Sequence, residues 1–255
     1  MIFKKAHLVL LAICFFYLLP LLAQAQTKEI NLVGEYIPGA TNSDGTGFQF
    51  ELVKAIFEPL GYQVNINVYP YKRALIRVEA GQDDMMVGMI KQQNMSLAFS
   101  QVPHEADKIL AIFIKKNNET WQGVKSLKNK KLVMLSSIIE NVKKNPYVNK
   151  NQMIEVSKPA QALKMLRHNR ADFIIMTESE YNLNYTAISP LSLSSKPIGY
   201  LEIYAAFTDS VKAKKIKTIW DDHFLPYFNS KAAKAMYKRW GVSKNYQTTL
   251  NYLAK

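Results

Sequence analysis

The sequence predicts an α/β fold built from two similar lobes. Three observations carry the prediction. The stretch ALIRVEAGQDDMMVGMI, from Ala74 to Ile90, has a counterpart in ALKMLRHNRADFIIMTE, from Ala162 to Glu178. In each copy an amphipathic stretch is followed by a turn, an acidic residue and an apolar run. Stretches of period two alternate with stretches of helical period along the chain. That order builds a mainly parallel sheet covered by helices on both faces. Finally, 255 residues minus an N-terminal segment of 25 leaves 230, enough for one large domain or two small ones.

The elements follow in order. Lys4 and Lys5 precede an apolar run from Leu8 to Leu22, closed by Ala23-Gln24-Ala25. This reads as a secretory signal peptide, residues 1–25, cut before Gln26; an uncleaved anchor is the alternative, but the run is short for a span. Ile13 and the apolar residues beyond Cys14 argue against a lipoprotein cut. The exported chain then has no cysteine and must be held by its own core. Glu29 to Tyr36 reads as a strand, and Ile37 to Gly47 as a loop rich in turn residues. Phe48, Leu52, Ile56 and Leu60 recur at helical spacing, with Gly61 as the stop. Tyr62, Val64, Ile66 and Val68 alternate with polar residues, a half-buried strand. A helix from about Tyr71 to Ala80, a turn at Gly81 and a strand from Met85 to Met89 complete the first unit.

The second unit repeats the scheme. Lys131 to Ser137 reads as a strand, IIENVKK as a short helix and Met153 to Ser157 as a strand. Pro159 to His168 is a helix with proline in its first turn, and Phe173 to Met176 a strand. The tail reads as two helices, one with Ile216, Ile219 and Trp220 on its apolar face, the other with Ala232, Ala235, Met236 and Trp240. Asp84 and Asp172, the repeated acids, sit where a carboxylate accepts turn amides at a strand start, a structural role. Met85, Met86 and Met89 read as core, and the scattered His104, His168 and His223 do not make a zinc site. The sequence therefore points to no metal and no cofactor.

The formal charge is +13, or +11 once Lys4 and Lys5 are removed. The lysines are scattered, so the charge reads as a solvated basic surface, and export removes nucleic acid as a partner. In open α/β sheets ligands lie beyond the carboxyl ends of the strands. Two facing units put two such rims across a cleft, with Gly88, Met89 and Lys91 leaving one and Thr177 and Glu178 leaving the other.

The run GFQFELVKAIFEPLGYQVNINVYPYKRALIRVEAGQDDMMVGM resembles the periplasmic solute-binding proteins of the family-3, amino-acid-binding type. The resemblance rests on Gly47-Phe48, Leu60-Gly61, Pro70-Tyr71-Lys72-Arg73 and Gly81 to Asp84, and on SLKNKKLVMLSS and KAMYKRWG further on. It implies the two-lobed periplasmic binding protein fold (type II), each lobe a mainly parallel sheet flanked by helices, joined by two crossing strands. By that analogy lobe 1 holds residues 26–114 and 205–255, and lobe 2 holds 115–204. The crossings fall near Ile112 to Lys116 and Ile198 to Tyr204. The implied function is capture of a small polar solute, an amino acid or related compound, by lobe closure. The expected partners are an ABC permease or a membrane sensor, and the expected state a monomer.

The same resemblance marks a ligand site. Tyr36 and Tyr71 are its expected aromatic walls. Arg73 reads either as an anion clamp or as the partner of a carboxylate such as Glu51. Such proteins place an arginine after the Gly88-Met89 rim for the ligand carboxylate; here the polar candidates are Lys91, Gln92, Gln93 and Asn94. Ser136 and Ser137 stand in for a Gly-Thr-Thr turn. Thr177 and Glu178 occupy the position of the acid that meets a ligand ammonium. Nothing in the chain spells a catalytic triad, a metal set or a phosphate loop, so the reading is a binder and not an enzyme. The rival is a dehydratase-like derivative with Glu178 as general acid, and a stand-alone sensory protein is the third reading.

Overall fold

The computed structural model describes residues 28–92, 95–115, 120–142, 147–148, 152–184 and 193–255. The signal-peptide reading, Gln93, Asn94, the last residues of IIENVKK and Lys116 lie outside them. The described chain runs β1 (Lys28–Gly34), α1 (Phe48–Phe57), β2 (Tyr62–Val68), α2 (Tyr71–Glu79), β3 (Met85–Met89), β4 (Ala98–Phe99) and β5 (Glu105–Ile114). It continues through β6 (Leu132–Leu135), α3 (Ile139–Val142), β7 (Met153–Val156), α4 (Pro159–Arg167), β8 (Phe173–Thr177) and α5 (Glu178–Asn184). It closes with β9 (Leu193–Phe207), α6 (Val211–Phe228), α7 (Lys231–Arg239) and α8 (Ser243–Leu253).

The strands form one mixed sheet in the order β2-β1-β3-β9-β5-β8-β6-β7, with β4 also on β9. Within each half the central pairs are parallel: β1 with β2 and β3, and β6 with β7 and β8. The halves are joined by the long antiparallel pair β5 and β9, which runs from Glu105 with Ile203 to Ile114 with Leu193. β9 pairs β3 through Tyr204, Ala206 and Phe207, while β5 pairs β8 from Ile109 to Ile112. Ile112, where the first crossing is expected to start, pairs Ile174 of β8 and Ser195 of β9.

Each half is covered on both faces, as strands with few polar positions require. In the first, Ile30, Leu32, Met85 and Phe207 pack against α1, α6 and α7, and Val33, Met86 and Ala206 pack on the opposite side against α2. In the second, Leu132, Met134 and Ile175 face one layer and Val133, Ile174 and Met176 the other. On α7 the buried face is Ala233, Met236 and Tyr237, one position on from the Ala232 and Ala235 face expected from sequence.

The C-terminal helix α8 was not foreseen, and it touches both joining strands. Thr249 Oγ1 accepts from the Ala106 amide of β5, the Tyr252 hydroxyl donates to Glu202 of β9, and Lys255 donates to the Tyr200 hydroxyl.

His104, just before β5, is fully buried edge-on to Trp220, at 6.0 Å between ring centroids. Neither ring nitrogen has a partner. Burial pushes its pKa from 6.5 down to about 3. As pH falls through that window the unfolded chain takes up a proton and the folded one does not. The stability present above pH 6.5 is therefore lost on acidification, at up to ~1.4 kcal/mol per pH unit. His104→Phe is expected to gain on the wild type as pH is lowered from 7 towards 4, measured by urea denaturation. A stability difference independent of pH would contradict this.

Candidate functional site

The rim at the carboxyl ends of the first half is built by short exits from β1 and β3. Glu35 and Tyr36 follow β1, and the Tyr36 ring is 56% exposed. Tyr71 opens α2 and packs beside Val33, Met86 and Met89. Burial raises its pKa, and the nearby Glu35 charge adds to the effect. Glu35 is a rim carboxylate that the sequence reading did not mark. Gly88 bends β3 at φ +77°, where the register with β9 shifts between Met86 and Met89. A Cβ there would meet Gln49 Oε1 at 3.3 Å.

Several predicted residues have other employment. Met89 turns its side chain into the core, at 0% exposure, so only its backbone borders the rim. Arg73 stacks over Tyr69 at 4.7 Å to the ring centroid, beside Arg77 at 4.9 Å. Its alternative partner, Glu51, is instead held by Arg239 and by the Trp240 indole at 2.7 Å. Lys91 is exposed, its ammonium 5.8 Å and 6.0 Å from the Phe99 and Tyr204 rings. Gln92 is exposed beside it.

On the other rim, Ser136 ends β6 and is exposed, its hydroxyl donating to the Val156 carbonyl at 3.3 Å. The side chain of Ser137 lies outside the described part. Thr177 is buried. Its amide and hydroxyl both donate to the Glu180 carboxylate, at 3.0 and 3.1 Å, and the Glu180 amide lies 3.2 Å from the Thr177 hydroxyl. This reciprocal pairing is a capping box for α5, which occupies Thr177 structurally. Glu178 lies between two ammonium groups, Lys108 at 3.4 Å and Lys244 at 3.1 Å. Lys108 comes from β5 and Lys244 from the first turn of α8.

Next to this ion cluster runs a chain of hydrogen bonds that sequence spacing does not reveal. Gln49 of α1 donates to Glu105 at 3.0 Å, and Asn245 of α8 donates to the other Glu105 oxygen at 3.1 Å. Asn245 also reaches Ser179 at 3.2 Å, and the Ser179 amide donates to Asp107 at 3.3 Å. Burial pushes the Glu105 pKa up, partly offset by the bonds from Asn245 and Gln49. Asp107 is raised for the same reason, partly offset by its bonds from Ser179 and Thr177. The chain links α1 of the first half, the joining strand β5 and α5 of the second half. The sequence signal for it is acidic Glu105 and Asp107 at the start of a strand that is apolar from Ile109 on.

Among the described residues, no hydrogen bond, ion pair or ring contact joins the Tyr36, Tyr71 and Lys91 group directly to the Ser136, Thr177 and Glu178 group. Among the described residues, cavities lie beside Trp121, beside Lys28 and Lys215, and beside Leu163 and Arg167. No described group of three or more His, Cys, Asp or Glu side chains is placed to hold a metal ion.

No family model matches the chain, and no curated protein matches it in sequence. Solved structures do match in shape. A probable amino-acid ABC transporter extracellular-binding protein from Bacillus subtilis superposes with a TM-score of 0.62 at 15% identity, covering 86% of this chain and 100% of its own. A histidine kinase sensor domain with similarity to periplasmic binding proteins gives 0.58 at 16%, covering 85% and 97%. The chain has the two-lobed fold of the periplasmic binding proteins. An ancestral amino-acid-binding protein, a precursor of cyclohexadienyl dehydratase, gives 0.56 at 14%, covering 83% and 95%. No described helix is long and apolar enough to cross a membrane.

Proposed function

We propose that the chain is an exported solute-binding protein that captures a small polar ligand, an amino acid or related compound, between its lobes. The ligand is delivered to an ABC permease or reported to a membrane sensor. The observation that supports this most is the joint. Two α/β halves, each with an open rim at its strand ends, are connected by a single antiparallel strand pair and the helix that braces it. Such a connection lets the rims approach by bending a few residues. One lobe comprises residues 26–114 and 205–255, and the other residues 115–204. Tyr36, Tyr71, Lys91 and Gln92 line the first side, with Ser136 and Glu178 on the second. Residues 1–25 serve as the export signal. Structural neighbours that bind amino acids, and one that is a sensor domain, agree with this reading.

The kinship with a dehydratase precursor favours one second reading, catalysis with Glu178 as the acid. Here the Glu178 carboxylate is engaged with two ammonium groups, which speaks for ligand or structural electrostatics. A thermal-shift screen of small metabolites separates the two. A captured ligand at a hundredfold excess over Kd adds ~2.7 kcal/mol, which raises Tm by roughly 5–10 °C for a protein of this size. The radius of gyration falls in the same sample. A hit that is consumed, or one that stabilises without compaction, defeats the capture reading.

A further inference from the structure

Resting on that reading, we infer that the ligand is a dianion held through its own two carboxylates, and that Glu178 does not serve as the receptor for a ligand amine. The inference starts from where the charges lie. A zwitterionic amino acid needs one fixed cation for its carboxylate and one available carboxylate for its ammonium. Glu178 is the acid at the β8 exit, but it is already bound on both sides, by Lys108 at 3.4 Å and Lys244 at 3.1 Å. One carboxylate against two ammonium groups leaves a net positive cluster. A ligand ammonium brought there would be a third cation around one carboxylate.

The other acids near the second rim are no more available. Glu180 caps α5 through Thr177, and Asp107 accepts from the Ser179 amide. Cations, by contrast, remain at the strand exits. Lys91 leaves β3 and Lys158 follows β7, both exposed and with no carboxylate partner among the described residues. Against them stands Glu35 at the end of β1. Closing the lobes therefore brings mainly positive groups together, and a ligand with two anionic groups offsets their repulsion. Each carboxylate then has a lysine to meet, Lys91 on one side and the Lys108–Lys244 pair on the other. The Tyr36 and Tyr71 rings cover the carbon skeleton between.

The test compares compounds of matched shape and different charge: L-glutamate against L-glutamine, with succinate and L-arginine as further probes. Titration calorimetry on the mature chain is expected to show succinate and L-glutamate bound at least tenfold more tightly than L-glutamine, and L-arginine not bound. Lys108→Gln and Lys91→Gln should each weaken succinate by about tenfold, Lys91→Arg should restore most of that loss, and Glu178→Gln should tighten it. Tighter binding of L-glutamine or L-arginine, or loss of binding in Glu178→Gln, overturns the inference and leaves capture standing. Silence from all four compounds also overturns it, while a hit in the broader metabolite screen with compaction would still support capture. Variants are checked for folding by circular dichroism, and the Lys91 variants lie far from the core if the Lys108 variant fails.

Discussion

Replacing Gly47 by alanine is expected to destabilise the fold by about 3 kcal/mol or more. Gly47 sits at the head of α1 with φ +123° and ψ 153°, a region essentially closed to residues with a side chain. A Cβ there would lie 2.2 Å from the Ala40 carbonyl oxygen and 2.5 Å from its carbon, both backbone atoms. Those atoms cannot step aside, because the same carbonyl receives the Gln49 amide at 3.1 Å and Phe48 bonds Gly39 at 3.0 Å. The loop from β1 is laced to the start of the helix, and any shift moves Gln49 away from Glu105. Thermal unfolding should fall by roughly 6–12 °C. Gly61→Ala is the control: φ is +80°, with nothing within 4 Å of the added atom, so only the backbone strain of about 1 kcal/mol remains. Equal losses for the two variants would show that the steric argument at Gly47 is wrong.

The second large effect concerns the repeated acids. Asp84→Ala is expected to lose about 2–3 kcal/mol and Asp172→Ala about 1. The two carboxylates do the same work in their lobes. Asp84 Oδ2 accepts from the Asn31 amide at 2.8 Å, and the Asp84 amide donates to the Asn31 carbonyl at 2.9 Å. Asp172 Oδ2 accepts from the Lys131 amide at 2.8 Å, and the Asp172 amide donates to the Lys131 carbonyl at 2.8 Å. Asp84 thus clips the start of β3 to the middle of β1, and Asp172 clips the start of β8 to the start of β6. They differ in surroundings: Asp84 is buried and also holds Lys212 at 2.7 Å, whereas Asp172 is exposed. Removing the first leaves a part-buried amide unpaired and a lysine without its partner; removing the second lets water replace it. Urea denaturation of both variants decides the matter, and equal losses would rule out burial as the source of the difference. Asp84→Asn keeps the acceptor and loses the charge, so it should fall between.

These clips explain why the lobes could be read from the sequence. The repeat is carried by turn chemistry. Gly81 and Asn169 both adopt positive φ, 71° and 54°, and both helices end with an amide reaching five residues back, Gln82 to Arg77 and Arg170 to Met165. Glycine and asparagine tolerate that conformation, so the signal survives in residue types. The joining strands are harder to read. β9 contains Ser194, Ser195, Lys196, Pro197 and Gly199 and shows no clean alternation, since its neighbours change along its length. α8 hid because threonines fill buried positions, Thr248 and Thr249, where an apolar pattern was sought.

The site was half legible for a related reason. Strand ends are visible in sequence, so Tyr36, Lys91, Ser136 and Glu178 could be placed at the rims. Their partners could not. Lys108 and Lys244 are distant from Glu178 along the chain, and only the packing of α8 across β5 unites the three. Arg73 was offered Glu51 by proximity, but the better-placed Arg239 and Trp240 come from the far end of the chain. Met89 was read both as core and, by its place after Gly88, as a rim residue; its side chain lies in the core.

The clasp of α8 on β5 and β9 has a practical corollary for anyone handling the protein. Lys255 bonds Tyr200, on one of the strands about which we propose the lobes turn. A fluorophore attached at Lys255 loads the pivot directly. It would damp the very rotation a biosensor is meant to read, whereas a reporter carried on the outer turn of α4 would ride with its lobe and leave the pivot free.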